Sequence, residues 1–370
     1  MLNKNQVISV TAPRDFSYEI FLKNNFLENL GEMIKNMYYE NAYIIIDEIV
    51  YKNFNEVINK SFSNKIFCKN YIIIPSGEKN KSHAMFLNLI NQLVERNVAR
   101  KSVLLAIGGG VITDLVGYVA SSYLRGVEYI NIPTTLIGQA DASVGGKVAI
   151  NHKSAKNFIG SFWHPSAVFI DPIFLKTLPN REIKNGLAEI IKVAIISSPK
   201  LLVFLKTNKI KILDRNLEYL SYIVNEAVKI KVELLSSDPY ENDLKRVLNL
   251  GHTIGHPIET IYEYSTIKHG EAISIGMAIA TYIAKNRNFC LPKRTEDIFQ
   301  VLSLSMPSEF PKLSADELLK HFEKIKLVRN KDLHFVIPNN TSVEFLDILE
   351  KVELEKAIEF VTNYYSKDLK

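Results

Sequence analysis

Short apolar runs alternate with helical periodicity along the first half of the chain. Seven runs predict β-strands, and several are continuously apolar, as expected for parallel strands buried on both faces. They comprise residues 6–10, 18–22, 42–47, 71–75, 102–108, 127–133 and 167–171. Helical patterns lie between them, for example over residues 81–98. The succession of strand, helix and strand predicts an open, doubly wound, largely parallel α/β sheet.

The pattern changes after Pro179, where helical periodicity takes over and strand signals nearly vanish. The later elements are predicted helices within residues 181–284, 316–327 and 352–365, and an isolated strand at 332–338. We therefore predict an α/β N-terminal domain over residues 1–175 and a mainly α-helical C-terminal domain over residues 176–370. A cleft between two such domains is a common site for a cofactor and its substrate.

Charge, cysteine content and the length of apolar runs indicate which partners and which cellular location the protein should have. The 370 residues include 45 Lys and Arg against 40 Asp and Glu, and the excess is spread along the chain, so no nucleic-acid partner is expected. Cys68 and Cys290 are the only cysteines, too few for a disulfide framework. The apolar runs are far shorter than a membrane span, and the N-terminal segment contains no long apolar run. We expect a cytoplasmic protein that does not engage a membrane.

A glycine-rich turn follows one buried strand. Residues 102–120 run from a strand through Gly108, Gly109 and Gly110 into a helical pattern. Glycines let a ligand approach the backbone and a helix N-terminus attracts phosphate, so a pyrophosphate-bearing cofactor fits this turn. The spacing is not the G-x-G-x-x-G fingerprint of dinucleotide-binding folds, and a turn without a ligand is an equal alternative.

Three charged side chains near strand ends leave two interpretations open. Asp47 ends a predicted strand, where a carboxylate can hold ribose hydroxyls or simply form a turn or cap. Glu78 and Lys81 could likewise contact a cofactor or serve as a cap and a solvated charge.

Residues 132–160 combine many hydrogen-bonding groups with few helix or strand signals, which predicts a functional loop. Its polar residues include Thr134, Thr135, Asp141, Lys147, Asn151, Lys156 and Asn157. Two lysines and an asparagine suit phosphate or carboxylate groups, whereas the simpler alternative is an exposed polar loop.

Histidines and a carboxylate in the second half offer ligands for a divalent metal. Glu189 and Lys192 share a helix face, either as an ordinary surface ion pair or with the carboxylate partly buried against a cation. His252 and His256 are four residues apart, a spacing that places both imidazoles on one helix face and often holds zinc. With His269 they make a set suited to Zn²⁺, but spacing alone does not decide which three groups bind.

Six motifs follow one another in a fixed order along the chain. They are GGGVITDLVGYVASSYLRG, IPTTLIGQADASVGGKVAINH, KNFIGSF, NGLAEIIK, LNLGHTIGH and HGEAISIGMA. Together they resemble the 3-dehydroquinate synthase family of sugar phosphate cyclases, from about Glu78 to Met277. The resemblance implies a two-domain fold, a homodimer, NAD⁺ and a divalent metal, usually Zn²⁺ with Co²⁺ as the alternative. It also implies a small sugar phosphate, 3-deoxy-arabino-heptulosonate 7-phosphate, as the substrate of a lyase reaction in the shikimate pathway.

The resemblance assigns roles to individual residues. Positions that contact NAD⁺ in the family correspond to Asp47, Glu78, Lys81, Gly109, Gly110, Val111, Asp114, Thr134, Thr135, Lys147, Lys156 and Thr177. Substrate-facing positions correspond to Asp141, Lys147, Lys156, Asn157, Lys192, Lys231, Asn249 and His256, and all of these except Lys156 are also implied in catalysis. Arg125 matches the arginine that reaches the neighbouring subunit's substrate phosphate. Glu189, His252 and His269 match the metal ligands.

The family chemistry gives these groups a shared purpose. Transient oxidation of one substrate hydroxyl by NAD⁺ acidifies the adjacent C–H, and the metal polarises the oxygens there, so that phosphate can leave. The departing phosphate is thought to take the proton itself, so the lysines and the arginine mainly position it. NADH then returns the hydride, the ring opens, and an intramolecular aldol reaction closes the carbocycle.

The sequence departs from the family pattern at four positions. Thr113 stands where glycine is usual, and valiolone-type cyclases often carry threonine there. Lys245 replaces a substrate-facing arginine, and the adjacent Arg246 would point about 100° away on a helix. Pro257 replaces an alanine in the second histidine motif and disfavours an unbroken helix. Lys331 is the nearest match to a substrate-binding lysine near the C-terminus.

Three alternatives stay open. Asn249 and His256 follow the dehydroquinate synthase pattern, so a sibling cyclase of the valiolone type, acting on sedoheptulose 7-phosphate, is the second choice. An NAD-linked polyol dehydrogenase would explain the fold and the cofactor but not the anion-binding residues. A non-enzymatic binding protein would have no need of the proposed metal ligands.

Overall fold

The computed structural model describes residues 17–37, 39, 41–62, 71–153, 155–236, 238, 240, 246–263, 266–328 and 333–367. The predicted strand at 6–10, Cys68, Lys245 and Lys331 lie outside these residues. The strands are β1 (Glu19–Leu22), β2 (Asn41–Asp47), β3 (Tyr71–Ile74), β4 (Ser102–Gly108), β5 (Glu128–Pro133), β6 (Lys147–His152), β7 (Ala155–Phe162), β8 (Ala167–Ile170), β9 (Phe335–Pro338) and β10 (Val343–Leu346).

Thirteen α-helices accompany these strands in the described part of the chain. They are α1 (Leu30–Lys35), α2 (Glu48–Ser61), α3 (His83–Glu95), α4 (Gly110–Ser122), α5 (Asn180–Ser197), α6 (Pro199–Thr207), α7 (Lys209–Leu213), α8 (Leu217–Ser236), α9 (His252–Ile261), α10 (His269–Asn286), α11 (Pro292–Leu302), α12 (Ala315–Val328) and α13 (Lys351–Lys367). None of them is long and apolar enough to cross a membrane.

Six parallel strands form the central sheet, in the order β1-β8-β5-β4-β2-β3. Of the seven strands predicted in the first half, the six that fall on described residues are all strands of this sheet. Every residue of β4, at the centre of the sheet, is buried. The predicted parallel α/β sheet is therefore confirmed, and the carboxyl ends of its strands open on one common edge.

Side chains of the central strand β4 enter two separate cores because they alternate between the faces of the sheet. Leu104 and Ala106 of β4 belong to a core with α3 and α4. Val103, Leu105 and Ile107 belong to a core with α1 and α2 on the other face. Helices on both faces make the sheet doubly wound, as predicted.

The helices after residue 180 pack around α10, which is buried along nearly its whole length. Gly276 of α10 permits a close approach of the chain at Gly251, since a Cβ there would lie 2.1 Å from the carbonyl oxygen of Gly251. Gly251 itself has a φ of 78°, a left-handed conformation that favours glycine, and α9 begins directly after it. The second half is mainly helical, as predicted. The domain division at residue 175 stays a prediction.

Two local predictions are wrong. The strand expected to be isolated at 332–338 pairs as β9, antiparallel to β10, which was missed because it is only four residues long. The predicted polar loop at 132–160 contains a π-helical turn, Gly138–Ala142, and the antiparallel hairpin of β6 and β7. Polar side chains interrupt the usual strand pattern there, so its alternation was hidden.

Candidate active site

Three helices bring together a carboxylate and two imidazoles that are far apart in sequence. Glu189 lies on α5, His252 opens α9 and His269 opens α10. Glu189 Oε1 is 3.3 Å from His269 Nε2 and 3.5 Å from His252 Nε2. One ligand atom from each residue lies within 4.8 Å of the others, so one divalent ion could contact all three. Two histidines and a carboxylate are the ligands of many catalytic zinc sites, and the three residues fit such an ion.

Burial and charge keep two of these groups in the forms that bind metals. Burial alone would raise the pKa of Glu189, but the Lys192 ammonium and the neighbouring imidazoles hold that pKa well below its usual range. Burial holds the pKa of His252 well below its ordinary value, and the charge of Lys192 adds to this effect. An ionised carboxylate and a neutral imidazole are the states required for metal binding.

Of the two alternatives for Glu189 and Lys192, the ordinary surface pair is wrong, and the carboxylate is instead buried against a cation, Lys192. The two side chains are only 2% and 4% exposed. Pairs three residues apart usually face solvent, and only the tertiary packing of α5 against α10 reveals this one as buried. Removing one partner of a buried pair leaves an uncompensated charge, which is strongly destabilising.

The two histidines of α9 have different surroundings. His252 Nδ1 lies 3.2 Å from the Leu250 carbonyl oxygen, which leaves Nε2 facing Glu189. His256 is exposed, and its ring centroid is 5.1 Å from that of His252 and 5.9 Å from that of His269. A metal-binding His252 and a substrate-facing His256 are compatible with this geometry, and both roles stay predictions.

Glu259 is the residue of this cluster that sequence reasoning missed. It is 2% exposed, with Oε2 at 2.9 Å from His269 Nδ1 and Oε1 at 3.0 Å from Lys156 Nζ. Burial alone would lower the pKa of His269, but the charge of Glu259 and hydrogen bonds with two carboxylates raise that pKa to about 10. A signal was available, because Glu259 follows His252 by seven residues and His256 by three and shares their helix face.

Pro257 lies inside α9, yet the helix continues through it to Ile261. The expected interruption is therefore wrong. Proline lacks the N–H that would bond to the carbonyl of Thr253, which normally costs about 3 kcal/mol in a helix interior. The side chain is buried, and the close packing of α9 on α10 holds the helix together across the missing bond.

The hairpin of β6 and β7 carries a bulge at two predicted site residues. Between two paired positions β6 has one residue, Asn151, whereas β7 has three, Lys156 to Phe158. Asn157 is left-handed, with a φ of 53°, and its backbone N–H donates to Asn151 Oδ1 at 3.0 Å. Bulges re-aim side chains. Lys156 accordingly reaches α9, and Asn157 reaches Lys81 at the start of α3.

Lys81 joins several predicted cofactor residues. Its ammonium contacts the Asp114 carboxylate of α4 and the Asn157 amide oxygen. Beside them, Asn151 donates to Glu78 Oε1 at 2.7 Å. Burial raises the pKa of Asp114, and the charge of Lys81 opposes that rise. Three separate segments of the chain therefore meet at Lys81.

Gly109 and Gly110 form the turn between β4 and α4. A Cβ at Gly109 would lie 2.8 Å from Thr135 Cγ2, so this glycine is needed for close packing and not for a positive φ. The amides of Gly110 and Val111 belong to the first turn of α4, where backbone N–H groups can bind phosphate. Thr113 is buried in the same helix, and its hydroxyl donates to the Gly110 carbonyl oxygen at 3.2 Å.

Asp47, Thr134 and Thr177 follow β2, β5 and β8 or end them, so all three lie toward the carboxyl edge of the sheet. Asp47 caps α2, because its Oδ1 accepts from Ile49 N at 2.9 Å and from the Ser76 hydroxyl at 2.6 Å. The cap interpretation of Asp47 is thus realised, and its contact with a ribose stays a prediction.

Asp141 lies in the π-helical turn Gly138–Ala142 and pairs with Lys231 of α8. Lys231 Nζ is 2.8 Å from Asp141 Oδ1 and donates to the Asp141 carbonyl oxygen at 2.6 Å. Gln139, buried in the same turn, donates at 3.1 and 2.8 Å to backbone carbonyls at the ends of β5 and β8. Isolated π-helical turns frequently mark functional sites.

Arg125 is not gathered with the other predicted residues. It precedes β5, and therefore lies at the edge of the sheet opposite to the glycine turn. Leu124 and Arg125 both have left-handed backbones, with φ of 49° and 66°. Such conformations are costly for side chains of this size and often accompany function.

Four predicted residues remain, of which the structure describes Lys147 and Asn249. Lys147 begins β6 and is exposed, and Asn249 ends a 3-10 turn shortly before α9. Lys245 and Lys331 lie outside the described residues, so their substrate-binding roles stay predictions.

Comparison with known proteins agrees with this geometry. Family models described as 3-dehydroquinate synthase N-terminal and C-terminal match residues 71–185 and 186–328. A 3-dehydroquinate synthase of Thermoanaerobacter sp. (strain X514) is 38% identical over 327 residues, which cover 88% of this chain and 92% of that protein. A 2-epi-valiolone synthase of Stigmatella aurantiaca (strain DW4/3-1) is 38% identical over 356 residues, covering 93% and 87%.

A solved structure extends the similarity to three dimensions. The 2-epi-5-epi-valiolone synthase from Streptomyces hygroscopicus subsp. jinggangensis 5008, with NAD⁺ and Zn²⁺ bound, matches with a TM-score of 0.88 at 26% identity. The match covers 96% of this chain and 100% of that one. With both halves of the chain matched in order and relatives this similar over most of its length, the chain belongs to the 3-dehydroquinate synthase family.

Proposed function

We propose that the chain is a 3-dehydroquinate synthase, a lyase that converts 3-deoxy-arabino-heptulosonate 7-phosphate to 3-dehydroquinate and phosphate. The observation that carries this proposal is the meeting of two sets of side chains. The buried Glu189 and the half-buried His252 and His269 form a cluster that suits a divalent metal. Glu259 links His269 of this cluster to Lys156 of the hairpin, which neighbours Asn157. A polyol dehydrogenase would use the first set but gives no role to the second.

NAD⁺ and a divalent ion, Zn²⁺ or Co²⁺, are the proposed cofactors. Nucleotides bind beyond the carboxyl ends of strands in open α/β sheets, and the first turn of α4 offers amides to the pyrophosphate. The NAD⁺ and Zn²⁺ bound to the valiolone synthase structure support both cofactors. The proposed NAD⁺ contacts are Asp47, Glu78, Lys81, Gly109, Gly110, Val111, Asp114, Thr134, Thr135, Lys147, Lys156 and Thr177.

The side chains of this site bind and orient the substrate. When bound, NAD⁺ and the metal supply reversible hydride transfer and Lewis-acid polarisation. Lys231 is held by Asp141 through two contacts, so its ammonium is oriented before the substrate arrives. Lys156 and Asn157 are also hydrogen-bond donors that suit the anionic oxygens of the substrate. His256, exposed beside the metal cluster, can hold a proton on an imidazole nitrogen.

A valiolone-type cyclase acting on sedoheptulose 7-phosphate is the second candidate. The 2-epi-valiolone synthase is as similar to this chain as the 3-dehydroquinate synthase is, and it covers slightly more of it. Thr113 matches the valiolone-type pattern, whereas Asn249 and His256 match the dehydroquinate synthase pattern. The two substrates differ in the carboxylate, so the choice depends on whether the site binds that group.

A direct assay distinguishes these activities. Purified, metal-loaded protein is incubated with NAD⁺ and either 3-deoxy-arabino-heptulosonate 7-phosphate or sedoheptulose 7-phosphate, and released phosphate is measured. We expect release from the first substrate only. Release from the second alone would overturn the proposal, and NADH accumulation on glycerol without phosphate release would favour a polyol dehydrogenase.

We also propose a cytoplasmic homodimer in which Arg125 completes the site of the neighbouring subunit. The left-handed backbone at Leu124 and Arg125, at the sheet edge away from the other residues, supports a role outside the chain's own site. Arg125→Ala and Lys231→Met should each inactivate the enzyme. Mixing and exchanging the two variants should restore activity, because each mixed dimer contains one intact site, whereas no restoration would contradict the arrangement.

A further inference from the structure

Glu259 is a buried carboxylate that neither the predicted metal ligands nor the predicted substrate contacts include. It lies on α9 with 2% exposure, and its two oxygens have different partners. Oε2 contacts His269 Nδ1 at 2.9 Å, and Oε1 contacts Lys156 Nζ at 3.0 Å. We propose that Glu259 is a positioning residue that orients His269 for the divalent ion and links the ion's site to Lys156. This inference rests on the metal site of the proposed function.

The orientation follows from the geometry of imidazole. Its two nitrogens lie on different sides of the ring, so a partner that fixes Nδ1 also fixes the direction of Nε2. In His269, Nε2 faces Glu189 Oε1 at 3.3 Å while Glu259 accepts at Nδ1. A carboxylate at Nδ1 selects the tautomer that leaves Nε2 for the metal and makes that nitrogen a stronger ligand.

The second link runs from the helical half to the hairpin. Lys156 belongs to the bulge of β7, and 103 positions separate it from Glu259 in sequence. Since both oxygens of Glu259 are engaged, a change at Lys156 reaches His269 through one side chain. Metal binding and the position of Lys156 should therefore be energetically coupled.

A second metal ion is the competing explanation for these contacts. His256, Glu259 and His269 also offer ligand atoms within 4.8 Å of one another. However, the Lys156 ammonium already contacts Glu259 Oε1, and a second ion would have to displace it or take Oε2 from His269. The arrangement favours one ion, with Glu259 as a hydrogen-bond partner and not as a ligand.

The test measures Zn²⁺ affinity directly, by competition with a chromophoric chelator, in the full-length protein. Glu259→Ala should bind Zn²⁺ about 10- to 100-fold more weakly than the parent protein, the usual effect of removing such a partner. Glu259→Gln should lose less, because its amide oxygen can still accept from Nδ1. At saturating Co²⁺ both variants should show a changed visible absorption spectrum, which a purely structural role would not produce.

The matched control is Glu353→Gln. Glu353 is also a paired carboxylate, held by Arg287 through two contacts of 2.7 Å, and it lies on α13, away from the metal ligands. The Zn²⁺ affinity and the Co²⁺ spectrum of the Glu353→Gln variant should equal those of the parent protein. The unfolding temperature of each metal-free variant reports on folding, and Glu259→Gln preserves the test if the alanine variant fails to fold.

A double-mutant cycle tests the link to Lys156. Lys156→Met should weaken Zn²⁺ binding less than tenfold, and adding it to Glu259→Gln should cause little further loss. Full additivity would overturn the link, and parental affinity with a parental spectrum in Glu259→Ala would overturn the positioning role. Two ions per chain would also overturn it. If the parent protein binds no Zn²⁺, the proposed metal site fails and this inference fails with it, while the NAD⁺ and substrate assays remain separate.

Discussion

The metal-binding half and the anion-binding half of the candidate site are built in contrasting ways. Glu189, His252 and His269 project from three packed helices and already contact one another through buried or half-buried atoms. Lys156 and Asn157 belong to a bulged hairpin, where Asn157 is exposed and left-handed. The comparison teaches that packed helices bring the proposed metal ligands together before an ion binds, whereas the anion-binding groups Lys156 and Asn157 depend on the local backbone of one irregular hairpin.

The largest expected effect comes from Glu189→Ala. It removes a proposed ligand and leaves the buried Lys192 without its ion-pair partner, so Zn²⁺ content should fall to background. Lewis-acid stabilisation of several kcal/mol corresponds to a loss of at least about 10³-fold in kcat/KM. Elemental analysis and the phosphate-release assay measure both effects. Unchanged metal content would show that the metal-binding half of the site does not hold the ion.

Variants of the two histidines of α9 distinguish metal binding from turnover within the candidate site. His252→Ala should lose Zn²⁺, whereas His256→Ala should keep it and lose turnover by roughly 10²- to 10⁴-fold, the usual contribution of a proton-transferring residue. The measurement pairs metal content with kcat for each variant. Equal metal loss in both would place His256 among the ligands and abolish the distinction drawn here.

Replacing Asn157, the bulge residue that contacts Lys81, should affect NAD⁺ and not the metal. Asn157→Ala removes the amide contact to Lys81, and hydrogen bonds to charged groups contribute about 1.5–3 kcal/mol, so the Kd for NAD⁺ should rise roughly tenfold or more. Calorimetric titration measures this Kd, and Zn²⁺ affinity should stay parental. Phe158→Ala, at the 68% exposed neighbour, is the control and should change neither quantity. A shifted Zn²⁺ affinity in Asn157→Ala would contradict the separation of the metal-binding half from the anion-binding half.

Pro257→Ala should have the smallest effect on activity. Alanine restores the missing helical hydrogen bond, so the free energy of unfolding should rise by about 1–3 kcal/mol with Zn²⁺ content unchanged. Denaturant unfolding of the metal-free protein measures this change. A fall in stability would mean that the buried proline ring contributes more to packing than the hydrogen bond would.

The sheet was predictable because its inner strands are buried on both faces and therefore read as continuous apolar runs. The hairpin of β6 and β7 was not, because polar residues that contact neighbouring segments break its alternating pattern. Strand β10 was also missed, because a run of four residues is too short to be identified as a strand from sequence.

In the site, motif resemblance indicated Glu189, His252 and His269, and the structure brings them together. Burial of the Glu189 and Lys192 pair was one of two alternatives, and the sequence could not decide between them because the answer depends on how α5 packs against other helices. Glu259 was missed because it lies outside the six motifs, three residues beyond the end of LNLGHTIGH. Its contact with Lys156 spans 103 residues, a distance over which no local pattern is informative.

The bulge in β7 restricts how this hairpin can change by insertion and deletion. Deleting its two additional residues would give a regular ladder with β6, which is the more stable hairpin. The same deletion would remove Lys156, Asn157 or both, and with them the contact to Glu259, the contact to Lys81 or both. Selection for stability alone would favour the shorter hairpin, so the longer one is expected to persist only where this activity is required.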